Sequence, residues 1–441
     1  MITINTLNTY PLGKLCGIKI PCGCGVEHVV ETRDIAVGAG TLDALPKMIE
    51  NLIGPLIKVC IVSDKTCFNL IGQAAEKLLL THGFKCCRHI YDNNTVESVE
   101  NSDALLQVEE DAKALIAVGG GRIFDMVKYA AVKLKLPCFG VMTSLSSDTY
   151  LSPFSALYNK GFKEIYVTKP PLGLVADTNA LTGSGEALIA AGYGLIVAKR
   201  TAVLDWRFSA RLTGEKYCRE VADAALAGIA EAEKLSDALM SNDKTAVCAL
   251  TEILLRLSLL SQLLKSSRLS NGGETHVCHV LETLLSAGDR QSRLYGENLF
   301  LSSAFLSRVY CAFLKDELTD FIPPPDLSLR AEKMSELLSV SETGALARIK
   351  PYMPADAYEL TGHKFKEYRA DFFAEAVKTR QTVDRAMKVF KRLYSDAGYW
   401  MTNYLSEPDY KTALALAPDY REKYTALAYM RDLGLLDKYL I

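Results

Sequence analysis

Apolar residues in the first 180 positions fall into short unbroken runs separated by stretches of helical spacing. Lys58-Val59-Cys60-Ile61-Val62 is a strand-like run that ends at Ser63-Asp64. An amphipathic helix is predicted across Leu70 to Leu80, and strand character resumes from Phe84 to Tyr91. Ala114-Leu115-Ile116-Ala117-Val118 is a further compact run, stopped by Gly119-Gly120-Gly121. A helical pattern continues to Leu134, and Cys138-Phe139-Gly140-Val141 makes the next strand. Runs apolar on both faces, alternating with helices, predict a parallel sheet covered by helices. Beyond residue 180 the strand signals fade. Ala187 to Asp205, Gly214 to Ser241, Lys244 to Ser266 and Phe300 to Leu314 carry apolar residues at three- and four-residue intervals. The pattern therefore predicts an α/β domain over 1–180 and an all-α domain over 181–441. Pro323-Pro324-Pro325 reads as a loop, since helical periodicity resumes at Leu329.

Composition narrows the partners. A chain of 441 residues exceeds what one core organises, and 49% hydrophobic with 23% charged residues is an ordinary globular balance. The net charge of −2 supplies no field for collecting a phosphate backbone, so nucleic acid is not an expected partner. Met1-Ile2-Thr3-Ile4-Asn5 lacks the basic start of a signal peptide. The most apolar stretch, Leu254 to Leu264, is broken by Arg256 and Ser258, so no membrane span is expected. The 12 cysteines then read as reduced thiols of a cytoplasmic protein. Cys22-Gly23-Cys24 with His28 offers soft ligands, but no fourth ligand stands at a recognisable spacing. A structural turn with buried thiols is the expectation there.

The glycine triplet follows a buried strand and opens a helix containing Asp125 and Lys128. Glycine lets backbone N–H groups approach a pyrophosphate at a helix N-terminus, although a tight strand-to-helix turn needs glycine too. Asp64, at a strand end, can accept from ribose hydroxyls and so favour NAD over NADP, or it can cap a helix. Thr143-Ser144-Leu145-Ser146-Ser147-Asp148 is a hydroxyl-rich loop at the carboxyl end of a strand, where open α/β sheets hold ligands.

Several ordered motifs now carry a family resemblance. GGGRIFDMVKYAA resembles the GGGxxxDxxKxxA signature of the iron-containing alcohol dehydrogenase and dehydroquinate synthase superfamily. TSLSSDTYLSP at 143–153, AAGYGLIVAKRTAVLDW at 190–206 and REKYTALAYMRDLG at 421–434 resemble its sn-glycerol-1-phosphate dehydrogenase (AraM-like) branch. CGCGVEH at 22–28 is similar to that branch's N-terminal motif. The resemblance implies a dehydroquinate synthase-like fold, with a Rossmann-like dinucleotide-binding domain and a helical domain closing the active-site cleft. It places Gly119, Gly120, Gly121, Asp125 and Lys128 in the nucleotide region, and Thr143, Ser144 and Ser147 along the cofactor. Asp148 then matches an acidic residue that touches substrate hydroxyls. Relatives commonly form dimers or larger assemblies, so a homo-oligomer is expected.

The metal shell departs from the family. Relatives hold a divalent ion with a carboxylate and two histidines, and the matching positions here are Leu195, Thr275 and Tyr295. Leucine has no lone pair, and neutral threonine and tyrosine are poor substitutes for imidazole. No metal is expected at the family site. The lesser alternative is a relocated ion on His276, His279 and Glu282, which share one helical face. Without the ion, charge on the reacting oxygen falls to Asp148, His279 or Tyr295. Tyr295 can donate a proton or merely fill vacated space.

Three functions follow: an NAD(P)-dependent, metal-independent oxidoreductase of a small polyol, polyol phosphate or carbonyl; a silent nucleotide-binding homologue; or a carbocycle-forming lyase like dehydroquinate synthase. Met142 replaces a customary proline and Thr149 a customary glycine beside the serine loop, which bears on substrate choice. Lys160 and Lys163, beyond that loop, read as solvated surface.

Overall fold

The computed structural model of the chain describes residues 2–107, 111–241, 243–287, 293–316, 327–351, 353, 355–393 and 407–439. The triple-proline loop falls outside these residues. The chain divides into two compact units: Met1–Ile196 with Asp223–Ser267, and Val197–Ala222 with Arg268–Ile441.

The first unit opens on a small antiparallel hairpin, β1 (Lys19–Ile20) with β2 (His28–Val29). Its main sheet contains β3 (Asp34–Gly38), β4 (Lys58–Asp64), β5 (Lys85–Tyr91), β6 (Ala114–Gly119) and β7 (Cys138–Met142). A second hairpin, β8 (Phe154–Asn159) with β9 (Phe162–Val167), precedes the last strand of the main sheet, β10 (Gly173–Asp177). The main sheet runs β3-β10-β7-β6-β4-β5, with every neighbour parallel. Its core gathers Ile49, Ile61, Leu79, Ile116, Val118, Phe139, Val141 and Val175. Each such aliphatic side chain withdrawn from water contributes about 1.5–3 kcal/mol.

Strand order fixes where a ligand can sit. The chain leaves β4 for β5 on one side, then crosses back to β6 on the other, so the winding direction reverses between β4 and β6. Their carboxyl ends splay apart at such a point and leave a crevice. Asp64 ends β4, Gly119 ends β6, and Thr143 follows β7 next door. The predicted nucleotide residues therefore converge on one sheet edge.

Four long helices accompany these strands in sequence: α1 (Gly121–Leu134), α2 (Glu186–Thr213), α3 (Arg219–Lys234) and α4 (Lys244–Leu264). Helices α2 and α4 are long and apolar enough to cross a bilayer, yet 83% and 67% of their most apolar windows lie buried in the protein. The second unit contains α5 (Gly273–Ala287), α6 (Tyr295–Lys315), α7 (Ala355–Leu393), α8 (Glu407–Tyr420) and α9 (Ala426–Asp432). Helices α6 and α7 meet through Phe300 and Phe390, stacked with ring centroids 4.1 Å apart.

The long apolar runs become strands with shifts of about one residue, and the helix expected at 70–80 begins as a π-type turn at Phe68–Gly72. Strands β3, β8, β9 and β10 are additions to the sequence reading. They are five or six residues long; the partly exposed patterns of β3, β8 and β9 give little periodicity, while β10 is buried throughout but short. Lys163 is a correction. It is 6% exposed and pairs with Glu97 at 2.8 Å, because β9 carries it inward beside the 97–98 segment, which bridges β8 at Tyr158.

Candidate active site

In the first unit the site is built on the turn from β6 into α1. The N-cap of α1 is Gly120 in extended backbone (φ −85°, ψ −170°), and no side chain caps the helix. Phe124 N donates to Gly120 O, so the N–H groups of the preceding turn have no acceptor within the helix. These donors and the helix dipole make an anion-binding end.

None of Gly119, Gly120 and Gly121 adopts a positive φ. Their requirement is space. A Cβ on Gly120 would lie 2.9 Å from Ser146 Oγ and 3.2 Å from Ser144 Oγ, and one on Gly121 would lie 2.4 Å from Ser147 Cβ. The serine loop therefore packs directly onto the glycine turn and brings its hydroxyls to the uncapped helix end. Thr143 N donates to Gly119 O, Ser144 Oγ and Ser146 Oγ lie 2.8 Å apart, and Tyr150 OH donates to Ser144 O at 2.7 Å. Ser147 Oγ accepts from Thr149 N. Asp148 follows in the same loop and is 1% exposed.

Asp64 does serve as a cap: its Oδ1 accepts from Cys67 N at 2.8 Å. Its Oδ2 stands 4.0 Å from Arg122 Nη2. Burial pushes the neighbouring Cys67 thiol up to about 11, so it stays neutral. Asp125 and Lys128 have work beneath the loop. Lys128 Nζ donates to the carbonyls of Thr149, Ser152 and Phe154 and lies 3.0 Å from Asp125. Asp125 accepts from Thr149 Oγ1 and Ala156 N. Burial raises its pKa, opposed chiefly by Lys128. The pair clamps segment 149–156, which ends the hydroxyl loop.

The second unit supplies the other polar cluster. Helix α5 carries Glu274, Thr275, His276, His279 and Glu282, all buried. Arg421 Nε donates to His279 Nδ1 at 3.0 Å, and Nη2 approaches the same atom. A guanidinium has no lone pair, so Nδ1 accepts and the imidazole proton resides on Nε2. His279 and Tyr295 lie together, with ring centroids 5.9 Å apart. His276 Nε2 stands 3.0 Å from Asn271 Oδ1, and burial followed by Arg421 and Arg268 holds this imidazole neutral. Burial and Asp205 push Glu274 up to about 8.

Asp205 sets the cluster's frame. Its carboxylate accepts from Gly273 N at 2.7 Å, Ala426 N at 2.8 Å and Tyr310 OH at 3.1 Å. The starts of α5 and α9 are thus pinned by one group. Neither Asp205 nor Arg421 was singled out in the sequence reading. Both lie inside stretches matching the family, but no spacing relates them to His279.

The residues present do not fit a divalent ion. Leu195 is a buried apolar side chain in α2. Thr275 Oγ1 is held within 3.2 Å of Ser270 O and 3.0 Å of Glu274 Oε1. Among the described residues, His276, His279 and Glu282 do not gather their donor atoms into ligating range. One imidazole faces an amide, and the other receives a cation's hydrogen bond, which opposes a second cation nearby.

Comparison with known proteins gives the family. Residues 36–184 match the family model "Iron-containing alcohol dehydrogenase". The glycerol-1-phosphate dehydrogenase [NAD(P)+] of Hyperthermus butylicus is 30% identical over 285 residues, covering 63% of this chain and 78% of that enzyme. The enzyme of the same name from Bacillus licheniformis is 28% identical over 310 residues, covering 68% and 76%. Among solved structures, a Red Sea brine-pool archaeal alcohol dehydrogenase superposes with TM-score 0.58 over 93% of this chain and 98% of that one, at 13% identity. The NADH-dependent butanol dehydrogenase A of Thermotoga maritima gives 0.57 over 92% and 96%, at 14% identity. These two show the fold. The protein is thus an iron-containing alcohol dehydrogenase-fold chain. Within that superfamily it belongs to the glycerol-1-phosphate dehydrogenase branch.

Proposed function

We propose that this protein is an NAD(P)-dependent oxidoreductase of a small polyol, polyol phosphate or related carbonyl that works without the family's divalent ion. The observation carrying the reading is the pairing of non-ligating residues at the family's ligand positions with a guanidinium bonded to the neighbouring histidine. By the family resemblance, Leu195, Thr275 and Tyr295 match the ligand positions, and Arg421 donates onto His279.

The α1 N-terminus, with Thr143, Ser144 and Ser147 around it, would receive the dinucleotide pyrophosphate, and Asp64 the ribose hydroxyls. Asp64 disfavours a 2′-phosphate, making NAD the expected cofactor and NADP the alternative. A nicotinamide bound there would supply or accept the hydride. By the family match, Asp148 orients the substrate hydroxyls. The Tyr295 phenol gives its proton to the carbonyl oxygen during reduction and takes it back during oxidation. His279 donates from Nε2 to the same oxygen, a role its tautomer allows.

The test is NADH titration together with turnover on a panel of polyols, polyol phosphates and their carbonyls, with and without chelator. We expect NADH binding, turnover unchanged by chelator, and a loss of about 10²- to 10⁴-fold in Tyr295→Phe at unchanged NADH affinity. Turnover abolished by chelator and restored by a metal would overturn the reading. NADH binding without turnover on any substrate would instead favour a silent nucleotide-binding homologue.

A further inference from the structure

The hairpin β1–β2 lies apart from the chemistry described above and has its own donor set. Its connecting loop, Pro21-Cys22-Gly23-Cys24-Gly25-Val26-Glu27, is closed outside by the Lys19–Glu27 ion pair at 3.2 Å. Gly25 occupies the left-handed region (φ +78°) and donates its N–H to Cys22 O, which turns the loop back on itself. The turn brings Cys24 Sγ to 3.3 Å from His28 Nε2, and Cys24 N to 3.5 Å from Cys22 Sγ. The three side-chain donor atoms lie within 4.8 Å of one another. The thiols correct the sequence expectation of burial: Cys24 is exposed and Cys22 half-buried, and no described cysteine forms a disulfide.

We propose that this loop is a zinc-binding knuckle, with Cys22 Sγ, Cys24 Sγ and His28 Nε2 as ligands and a further thiolate or water completing the tetrahedron. The histidine is prepared for the role. His28 is 1% exposed, and its Nδ1 lies 2.6 Å from the carbonyl of Leu263 near the end of α4. A carbonyl only accepts, so Nδ1 carries the proton and Nε2 presents its lone pair toward Cys24. Metal-bound histidines are held this way, their second nitrogen donating to a carbonyl or carboxylate. The Cys24 N–H beside Cys22 Sγ stabilises a thiolate there. Tetrahedral zinc bonds of about 2.3 Å to sulfur and 2.0–2.1 Å to nitrogen place such donors about 3.5–3.8 Å apart, close to the spacing here. Soft thiolates with imidazole select zinc over magnesium or calcium. Binding exchanges protons for the ion: each ligating thiol releases one as its sulfur bonds the metal.

The ion would have a structural consequence. Glu31 N and Thr32 N donate to Gln262 Oε1, and Gln262 Nε2 donates to Leu151 O. The strand after the knuckle is therefore stitched to the end of α4, and the ion anchors that seam.

Purified protein loaded with Zn²⁺, washed and analysed by elemental analysis is expected to retain about one ion per chain. Cys24→Ser should lose it, and His28→Gln should lose or weaken it, while NADH affinity stays the same. Replacing Zn²⁺ with Co²⁺ should produce a thiolate-to-metal charge-transfer band that Cys22→Ser and Cys24→Ser both reduce. Serine substitution of each remaining cysteine then distinguishes a thiolate from water at the fourth position. Stoichiometric zinc retained in the Cys22→Ser/Cys24→Ser double variant, or no zinc and no cobalt band in the wild-type protein, overturns the proposal. A zinc-dependent rise of several degrees in melting temperature, absent from Cys24→Ser, would support the structural role.

Discussion

The glycine turn of the first unit and the α5 cluster of the second are both buried polar sites, and they reach satisfaction by opposite means. Around the turn, hydroxyls and backbone donors surround a helix end that no side chain caps, and a buried ion pair lies below, holding the loop. Around α5, charged groups carry the structure: Arg421 meets His279, and Asp205 gathers three donors. The first arrangement presents donors and a helix dipole of the kind that suit an anion. The second surrounds α5 with a guanidinium, a neutral imidazole and a protonated carboxyl. The two clusters rest on separate sets of bonds, so each can be altered without touching the hydrogen bonds of the other.

The largest effect that would break this contrast is expected from Asp205→Ala. It leaves Gly273 N, Ala426 N and Tyr310 OH without their acceptor, at a cost of about 3–5 kcal/mol. Urea unfolding should show that loss in the second unit, with NADH binding retained at low denaturant. A variant as stable as wild type would mean the charged frame is dispensable.

Glu274 sharpens the comparison through pH. Its folded pKa of about 8 lies above the ordinary glutamate value, so the folded state binds the extra proton. Its contribution is fully present below the unfolded value and is lost as pH rises through about 8. Glu274→Gln should therefore gain stability over wild type between pH 5 and 8, by on the order of a few kcal/mol at the alkaline end. Parallel melting curves for the two proteins across that range would sink the assignment.

The smallest effect is expected at the turn. Gly121→Ala sets a Cβ 2.4 Å from Ser147 Cβ, and pushing the loop back should cost about 1–3 kcal/mol. NADH affinity should fall with it, while the melting behaviour of the second unit stays unchanged. Unaltered affinity would show that the serine loop is not part of the nucleotide grip.

Much of this was legible from residues alone, and the reasons differ by site. Continuous apolar runs such as Lys58 to Val62 and Ala114 to Val118 identify central strands because nothing but a doubly covered sheet buries both faces. The residues proposed for the nucleotide stand out in the sequence because they belong to strand ends and a glycine turn, which are local features. The reason for the glycines was not: sequence suggested ligand approach or a tight turn, whereas the requirement is the contact with serines some 25 residues onward, about as far as a strand-plus-helix unit reaches. The pairing of Arg421 with His279 spans 142 residues, beyond any periodic signal. At the knuckle, spacing alone revealed Cys22, Cys24 and His28, but the Leu263 carbonyl that selects the tautomer lies 235 residues away.

The reach of Asp205 has a consequence for how the chain is completed during synthesis. One carboxylate binds Gly273 N, 68 residues later, and Ala426 N, 221 residues later. The carboxylate that holds the start of the helix bearing His279 therefore lacks one of its three donors until Ala426 has emerged. Nascent or truncated chains lacking the tail would also lack Arg421, leaving His279 without its tautomer-setting partner. The segment from Arg421 to Ala426 is as much a component of this polar cluster as helix α5.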